Sequence, residues 1–136
     1  MKKITIIDGQ GGRMGKTLIE QLKKEFPNQE LLAIGTNSIA TSAMIRAGAD
    51  YGATGENPVI VASRDSDIII GPIGIVIADS LFGEVTSKMA EAVGRSHATQ
   101  LLMPVNRCNH HVVGCEEISM NEIIRRVIEQ VRELIQ

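Results

Sequence analysis

Aromatic side chains are nearly missing from this 136-residue chain, which has no tryptophan, one tyrosine and two phenylalanines. Proteins that grip single-stranded nucleic acid stack bases on aromatic rings within a basic groove. The basic groove is missing too, since 14 Lys and Arg stand against 16 Asp and Glu. Neither nucleic acid nor an anionic membrane surface finds an electrostatic footprint here. Long apolar runs are also lacking: the first, Ile4-Thr5-Ile6-Ile7 after Lys2-Lys3, stops at Asp8, too short for a secretory signal or a membrane span. Cysteine is scarce, with only Cys108 and Cys115. In a chain without an export signal these read as reduced thiols in a cytoplasmic setting rather than as a disulfide. At this length, with 43% apolar residues, one domain over residues 1–136 with a single core is expected.

What is present is a repeated exchange of short β-branched runs and amphipathic segments. Residues 3–8 (KITIID) lack clean alternation, which predicts a strand buried on both faces. Met14, Leu18, Ile19, Leu22 and Phe26 recur at helical spacing, and Pro27-Asn28 ends that segment. A second strand is predicted at 30–35, then a helix from the Thr36-Asn37-Ser38 cap to Ala47, closed by Gly48. Asn57 as N-cap with Pro58 at the first helical position predicts a helix over 58–65, followed by a strand at 67–71. Residues 71–86 read as a loop leading into a short helix. A helix over 86–93 ending at Gly94 and a buried strand over 99–105 follow. The capping box Ser119-x-x-Glu122 then opens a last helix, whose stripe Ile124, Val127, Ile128, Val131, Leu134 and Ile135 covers the sheet. Alternation of this kind predicts a Rossmann-like three-layer α/β sandwich with a mostly parallel sheet.

The segment that carries chemistry is "IIDGQGGRMGKTL" at 6–18, where the first strand becomes the first helix. Gly9-x-Gly11-x-x-x-Gly15 departs by one residue from the strict dinucleotide fingerprint, and Gly9-x-x-Gly12-x-x-Gly15 fits a looser one. Glycines let a pyrophosphate touch the backbone while the helix N-terminus offers unpaired N–H groups and partial positive charge. Gly9, Gln10, Gly11, Gly12, Arg13, Met14 and Gly15 are therefore candidate cofactor-binding residues. The bland alternative is a tight turn with no ligand, although one glycine would suffice for that. Gly15-Lys16-Thr17 ends like a P-loop, but the first glycine of such a loop would fall where the chain has Gln10.

Ligands of open parallel sheets gather at the C-terminal strand ends. Thr36 and Asn37 stand at the second of these, where dinucleotide-binding proteins usually have Asp or Glu for the ribose, and Asn37 serves equally as a helix cap. With no carboxylate there, a 2′-phosphate, a mononucleotide or another phosphate ester stays open. "GPIG" at 71–74 (Gly71, Pro72, Gly74) reads as a close-approach loop, and Asn106 lies at a later strand end. Asp79, Ser80 and Glu84 form the carboxylate and hydroxyl cluster near a predicted strand end; Asp79 and Ser80 are candidate catalytic groups, with a cap or turn role as the plainer reading. "CNHHVVGC" at 108–115 fits no standard zinc spacing. On an extended segment Cys108 and His110 would face one side, with His111 and Cys115 on the other. No metal is expected, and Cys108 is a candidate nucleophile or a buried thiol.

"GQGGRMGK" closely resembles the pyridine-nucleotide loop of dihydrodipicolinate reductases. The resemblance implies that Gly9, Gly12, Arg13, Met14 and Gly15 surround a cofactor pyrophosphate. It covers only the first strand and helix, and the substrate domain of those enzymes has no counterpart here. Over its full length the chain resembles the domain of unknown function 3842 family of small bacterial proteins, through "DGQGG" (8–12), "GTN" (35–37), "AGAD" (47–50), "ATGEN" (53–57), "IIGPIGI" (69–75), "ADS" (78–80) and "VNRCN" (105–109). That resemblance implies a Rossmann-like fold and no assigned activity. The expected function is binding of a phosphate-bearing small molecule, a nucleotide or an NAD(P)-like dinucleotide, by a sensor or a subunit of a larger assembly. A small NAD(P)-dependent oxidoreductase or transferase acting through Asp79, Ser80 or Cys108 is the alternative. An exposed sheet edge makes a homodimer the expected self-association.

Overall fold

A computed structural model of the chain describes residues 1–105 and 110–136. Its strands are β1 (Ile4–Asp8), β2 (Leu31–Gly35), β3 (Tyr51–Thr54), β4 (Ile68–Pro72) and β5 (Thr99–Met103). Its helices are α1 (Arg13–Glu25), α2 (Ser38–Arg46), α3 (Glu56–Asp65), α4 (Ser87–Arg95) and α5 (Met120–Ile135). The strands form one five-stranded sheet in the order β3-β2-β1-β4-β5, and every neighbouring pair is parallel.

The interior strands explain their own sequences. Every residue of β1 and of β4 is buried, since helices cover both faces of a parallel sheet and leave no position that water selects to be polar. Ile4 and Ile6 point to one side and pack with Leu18 and Leu22 of α1, Met44 of α2, and Ile124 and Val131 of α5. Ile7 and Ile69 point to the other side, against Val59 of α3 and Met89 and Val93 of α4. The result is the three-layer Rossmann-like α/β arrangement that the alternating pattern predicts.

Differences are local and have physical causes. The edge strand β3 goes unread in the sequence because three of its four residues are exposed and it carries Gly52, so it shows no apolar run. Helix α3 starts earlier than its Asn57-Pro58 signal, with Gly55 as N-cap. Proline is tolerated throughout a first turn, whose N–H groups have no intrahelical partner, so Pro58 marks that turn and not its first residue. Helix α4 runs through Gly94 to Arg95, and β5 stops at Met103. The capping box of α5 is half made: the Ser119 hydroxyl accepts the Glu122 N–H at 3.2 Å, while Arg125 and Arg126 take the Glu122 carboxylate. Among the described residues, no helix is long and apolar enough to cross a membrane.

From β1 the chain winds outward through β2 to β3, then returns to place β4 on the other side of β1. The winding direction therefore reverses between β1 and β4. Outside the carboxyl ends of those two strands lies the crevice that such a reversal opens. Ile70 is fully buried at the centre of the sheet. Ile70→Ala is expected to lower stability by about 2–5 kcal/mol, read as a shift of the urea midpoint at unchanged slope.

Candidate functional site

Asp8 ends β1 and turns its carboxylate beneath the glycine loop, where it is only 6% exposed. One oxygen accepts the Gly9 N–H at 2.8 Å and the other the Gly15 N–H at 2.7 Å. A bond from the Gly12 N–H to the Gly9 carbonyl, 2.9 Å, closes the turn. The carboxylate thus ties strand to helix at the positive end of α1, where a negative charge is favoured.

The glycines of this loop divide by what a side chain would meet. A Cβ on Gly9 would lie 2.5 Å from Thr36 Oγ1 and 2.7 Å from Leu81 Cδ1. On Gly12, whose φ is +73°, it would meet the Ala40 backbone at 2.8 Å, and on Gly15 the Met44 sulfur at 2.5 Å. These three absences serve contacts within the protein. Gly11 is different: it is exposed, and among the described residues nothing stands within 4 Å of where its Cβ would be. Among the described residues, the N–H groups of Gly11, Arg13 and Met14 have no hydrogen-bond partner.

A cavity of about 290 Å³ opens in front of Gly11, at the β1–β4 reversal. The glycine loop forms one wall, and Pro72, Gly74 and the segment from Ile77 to Phe82 form the other. That second wall is a strained loop. Asp79, Leu81 and Phe82 have φ of 65°, 56° and 55°, a conformation that costs a non-glycine residue about 1–3 kcal/mol. The Asp79 N–H donates to the Val85 carbonyl at 2.7 Å, and the Ser80 hydroxyl donates to the Gly74 carbonyl. Phe82 is 90% exposed at the mouth of the cavity.

Glu84 fastens this loop across the top of the sheet. Its Oε1 accepts the Gln10 N–H at 2.8 Å, the Thr36 hydroxyl at 2.6 Å and the Asn37 side-chain amide at 2.8 Å. Partial burial opposes the charge, and the bonds from Thr36, Gln10 and Asn37 outweigh it, holding the carboxyl below its ordinary value of 4.5.

The structure gathers Gly9 to Met14, Pro72, Gly74, Asp79 and Ser80 around one cavity, and leaves the remaining described candidates apart from it. Gly15 is buried beneath the loop. Gly71 lies in the sheet, where a Cβ would sit 2.4 Å from the Ile7 carbonyl oxygen, so its missing side chain serves strand packing. Thr36 and Asn37 do not line the cavity either; both donate to Glu84, and Asn37 also caps α2 by accepting the Ala40 N–H at 2.9 Å. The expectation that no carboxylate stands at the end of β2 is corrected by Glu84, which arrives from 48 residues away. No spacing rule links those positions; only the return of the chain to β4 joins them. Ser80 holds the loop together through its hydroxyl, and among the described residues no hydrogen-bonded pair of side chains forms a base with an orienting partner beside Asp79. Asn106 and Cys108 lie outside the described residues. Among the described residues, no three of His, Cys, Asp and Glu gather as metal ligands.

The chain matches the family described as Domain of unknown function (DUF3842) over residues 3–136, and belongs to it. No curated protein matches the sequence. Among solved structures, the dodecameric FMN-dependent Ubix-like decarboxylase from Escherichia coli O157:H7 aligns with a TM-score of 0.51 at 17% identity, over 97% of this chain and 94% of that one. Glutamyl-tRNA reductase from Methanopyrus kandleri aligns with a TM-score of 0.47 at 16% identity, over 98% of this chain and 35% of its own. The likeness to the decarboxylase is one of fold.

Two outcomes follow from this geometry. Gly12→Ala forces a strained φ and a clash with the Ala40 backbone; it is expected to cost at least about 2 kcal/mol in urea denaturation, whereas Gly11→Ala stays within about 1 kcal/mol of the parent. Glu84 has a lowered folded-state pKa, so its contribution to stability is present above its ordinary value of 4.5 and lost as pH falls below it. Glu84→Gln is therefore expected to melt at a lower temperature than the parent at pH 7, with the gap narrowing below pH 4.5.

Proposed function

We propose that this DUF3842 chain is a binding module for a phosphate-bearing small molecule, a nucleotide, held in the cavity between the glycine loop and the 77–82 segment. The observation that carries the reading is Gly11: among the described residues, none packs where its side chain would be, and none accepts the neighbouring N–H groups of Arg13 and Met14. The Asp8 carboxylate already takes the Gly9 and Gly15 amides, so the phosphate uses the remaining three. The Arg13 side chain, exposed at the cavity wall, offsets the negative charge beneath. Met14, Ile73, Ile77 and Phe82 supply an apolar wall suited to a ring, and the strain held at Phe82 is of the kind that accompanies ligand contact.

A binding role, in a sensor or a subunit, is favoured over chemistry through Asp79 and Ser80, because the Ser80 hydroxyl is engaged by Gly74. The decarboxylase of similar fold is described as FMN-dependent, a reason to try flavin mononucleotide beside NAD(P). The exposed edge strand β3 is the surface along which a second copy would add to the sheet.

The test is calorimetry on purified, nucleotide-stripped protein with FMN, AMP, ATP with magnesium, NADH and NADPH. At least one is expected to bind, with a loss of at least about 100-fold in Gly11→Val, where a branched side chain fills the place of the phosphate. Phe82→Ala is expected to weaken the ring-bearing ligand and leave inorganic phosphate unchanged. No heat with any of the five overturns the reading.

A further inference from the structure

In a doubly wound dinucleotide site, the end of the second strand receives the ribose nearest to it through an acidic side chain, and the pyrophosphate crosses the glycine turn toward the other half of the crevice. Here the end of β2 presents donors instead, Thr36 and Asn37, and both give their hydrogens to Glu84. The Gln10 N–H supplies a third bond to the same oxygen. Leu81 lies alongside, so a Cβ on Gly9 would be 2.7 Å from Leu81 Cδ1 and 3.0 Å from Glu84 Oε1. The side of the glycine loop nearest β2 is thus covered by the chain itself. Two residues further on, the position of a Gly11 side chain meets none of the described residues.

The covering segment is anchored at both ends. Val85, next to Glu84, is buried between sheet and helices, and its carbonyl and N–H bond to the Asp79 N–H and the Ser80 carbonyl at 2.7 and 3.2 Å. Ser80 is tied in turn to Gly74. What stays open is the β1–β4 side, a cavity of about 290 Å³ that none of Thr36, Asn37 and Glu84 lines and that Leu81 bounds as part of its wall. That volume is just below the ~300–1,000 Å³ usual for small-molecule sites.

We propose that Glu84, together with Leu81, is a specificity plug: it fills the β2 half of the crevice, so the site accepts a mononucleotide, one ring-bearing unit with a single terminal phosphate, and excludes dinucleotides. This rests on the glycine-loop reading above and narrows its ligand. A dinucleotide enters the β2 half only by displacing a carboxylate held by three hydrogen bonds, each worth more than a neutral one.

Titrations of the parent, Glu84→Ala and Leu81→Ala with AMP, FMN and NADPH, with melting curves as folding controls, decide it. The parent is expected to bind AMP or FMN at least about 100-fold more tightly than NADPH. Both variants are expected to bring that ratio within about 10-fold, chiefly by tightening NADPH. If Glu84→Ala does not fold, the parent ratio and Leu81→Ala suffice. Parent protein that binds NADPH as tightly as the mononucleotide, with Gly11→Val abolishing both, overturns the plug and leaves the glycine-loop site standing. An unchanged ratio in the folded variants, or weaker mononucleotide binding in Glu84→Ala, also overturns it. Absence of binding by all three ligands overturns the plug, and removes the glycine-loop site as well when ATP with magnesium and NADH also give no heat.

Discussion

The buried carboxylate of Asp8 is the interaction on which the geometry of the upper face depends. It sits at the last residue of a central strand and reaches two amides, those of Gly9 and Gly15, that lie before and within the first turn of α1. A carboxylate taken out of water needs such donors, since an unpaired buried charge is far costlier than a paired one. The loop between them is consequently pinned at both ends, and its path sets the other close approaches. Gly15 lies over the Asp8 side chain, and Gly12 lets α2 come up against the loop backbone.

A second carboxylate does comparable work across the sheet. Glu84 reaches from the loop before α4 to the glycine loop and the end of β2 at once. Three hydrogen bonds converge on one oxygen, so the long connection after β4 is drawn toward β2 even though it leaves the sheet on the far side of β1. The left-handed conformations at Leu81 and Phe82 lie in the stretch just before Glu84. The crevice is left lopsided, filled over β2 and open over β4, and any ligand has to accommodate that asymmetry.

Legibility in the sequence followed the range of the interactions. The runs read at 3–8 and 67–71, found within a residue as Ile4–Asp8 and Ile68–Pro72, and the stripes of α1 and α5 were readable, because burial on known faces imposes a pattern on neighbouring residues. Asn37 as a cap was readable for a similar reason: its bond to the Ala40 N–H spans three residues. The edge strand β3 was not, since its main-chain pairing to β2 makes no demand on side chains that face solvent. Ser119 and Glu122 were half readable, because nearby arginines compete for the carboxylate that a capping box would use.

The sequence by itself determined the layered α/β architecture and the position of a glycine turn at the first strand end, since both arise from patterns a few residues long. It also marked most of the residues that line the cavity. Only the tertiary structure decided which glycines the packing requires, because Gly9, Gly12 and Gly15 owe their lack of side chains to Leu81, Ala40 and Met44, far away along the chain. It alone placed Glu84 at the end of β2, where the sequence shows no acid. Hydrogen bonds between residues 48 apart leave no periodicity to read; they form when parallel strand pairing brings the ends of β1, β2 and β4 to one face.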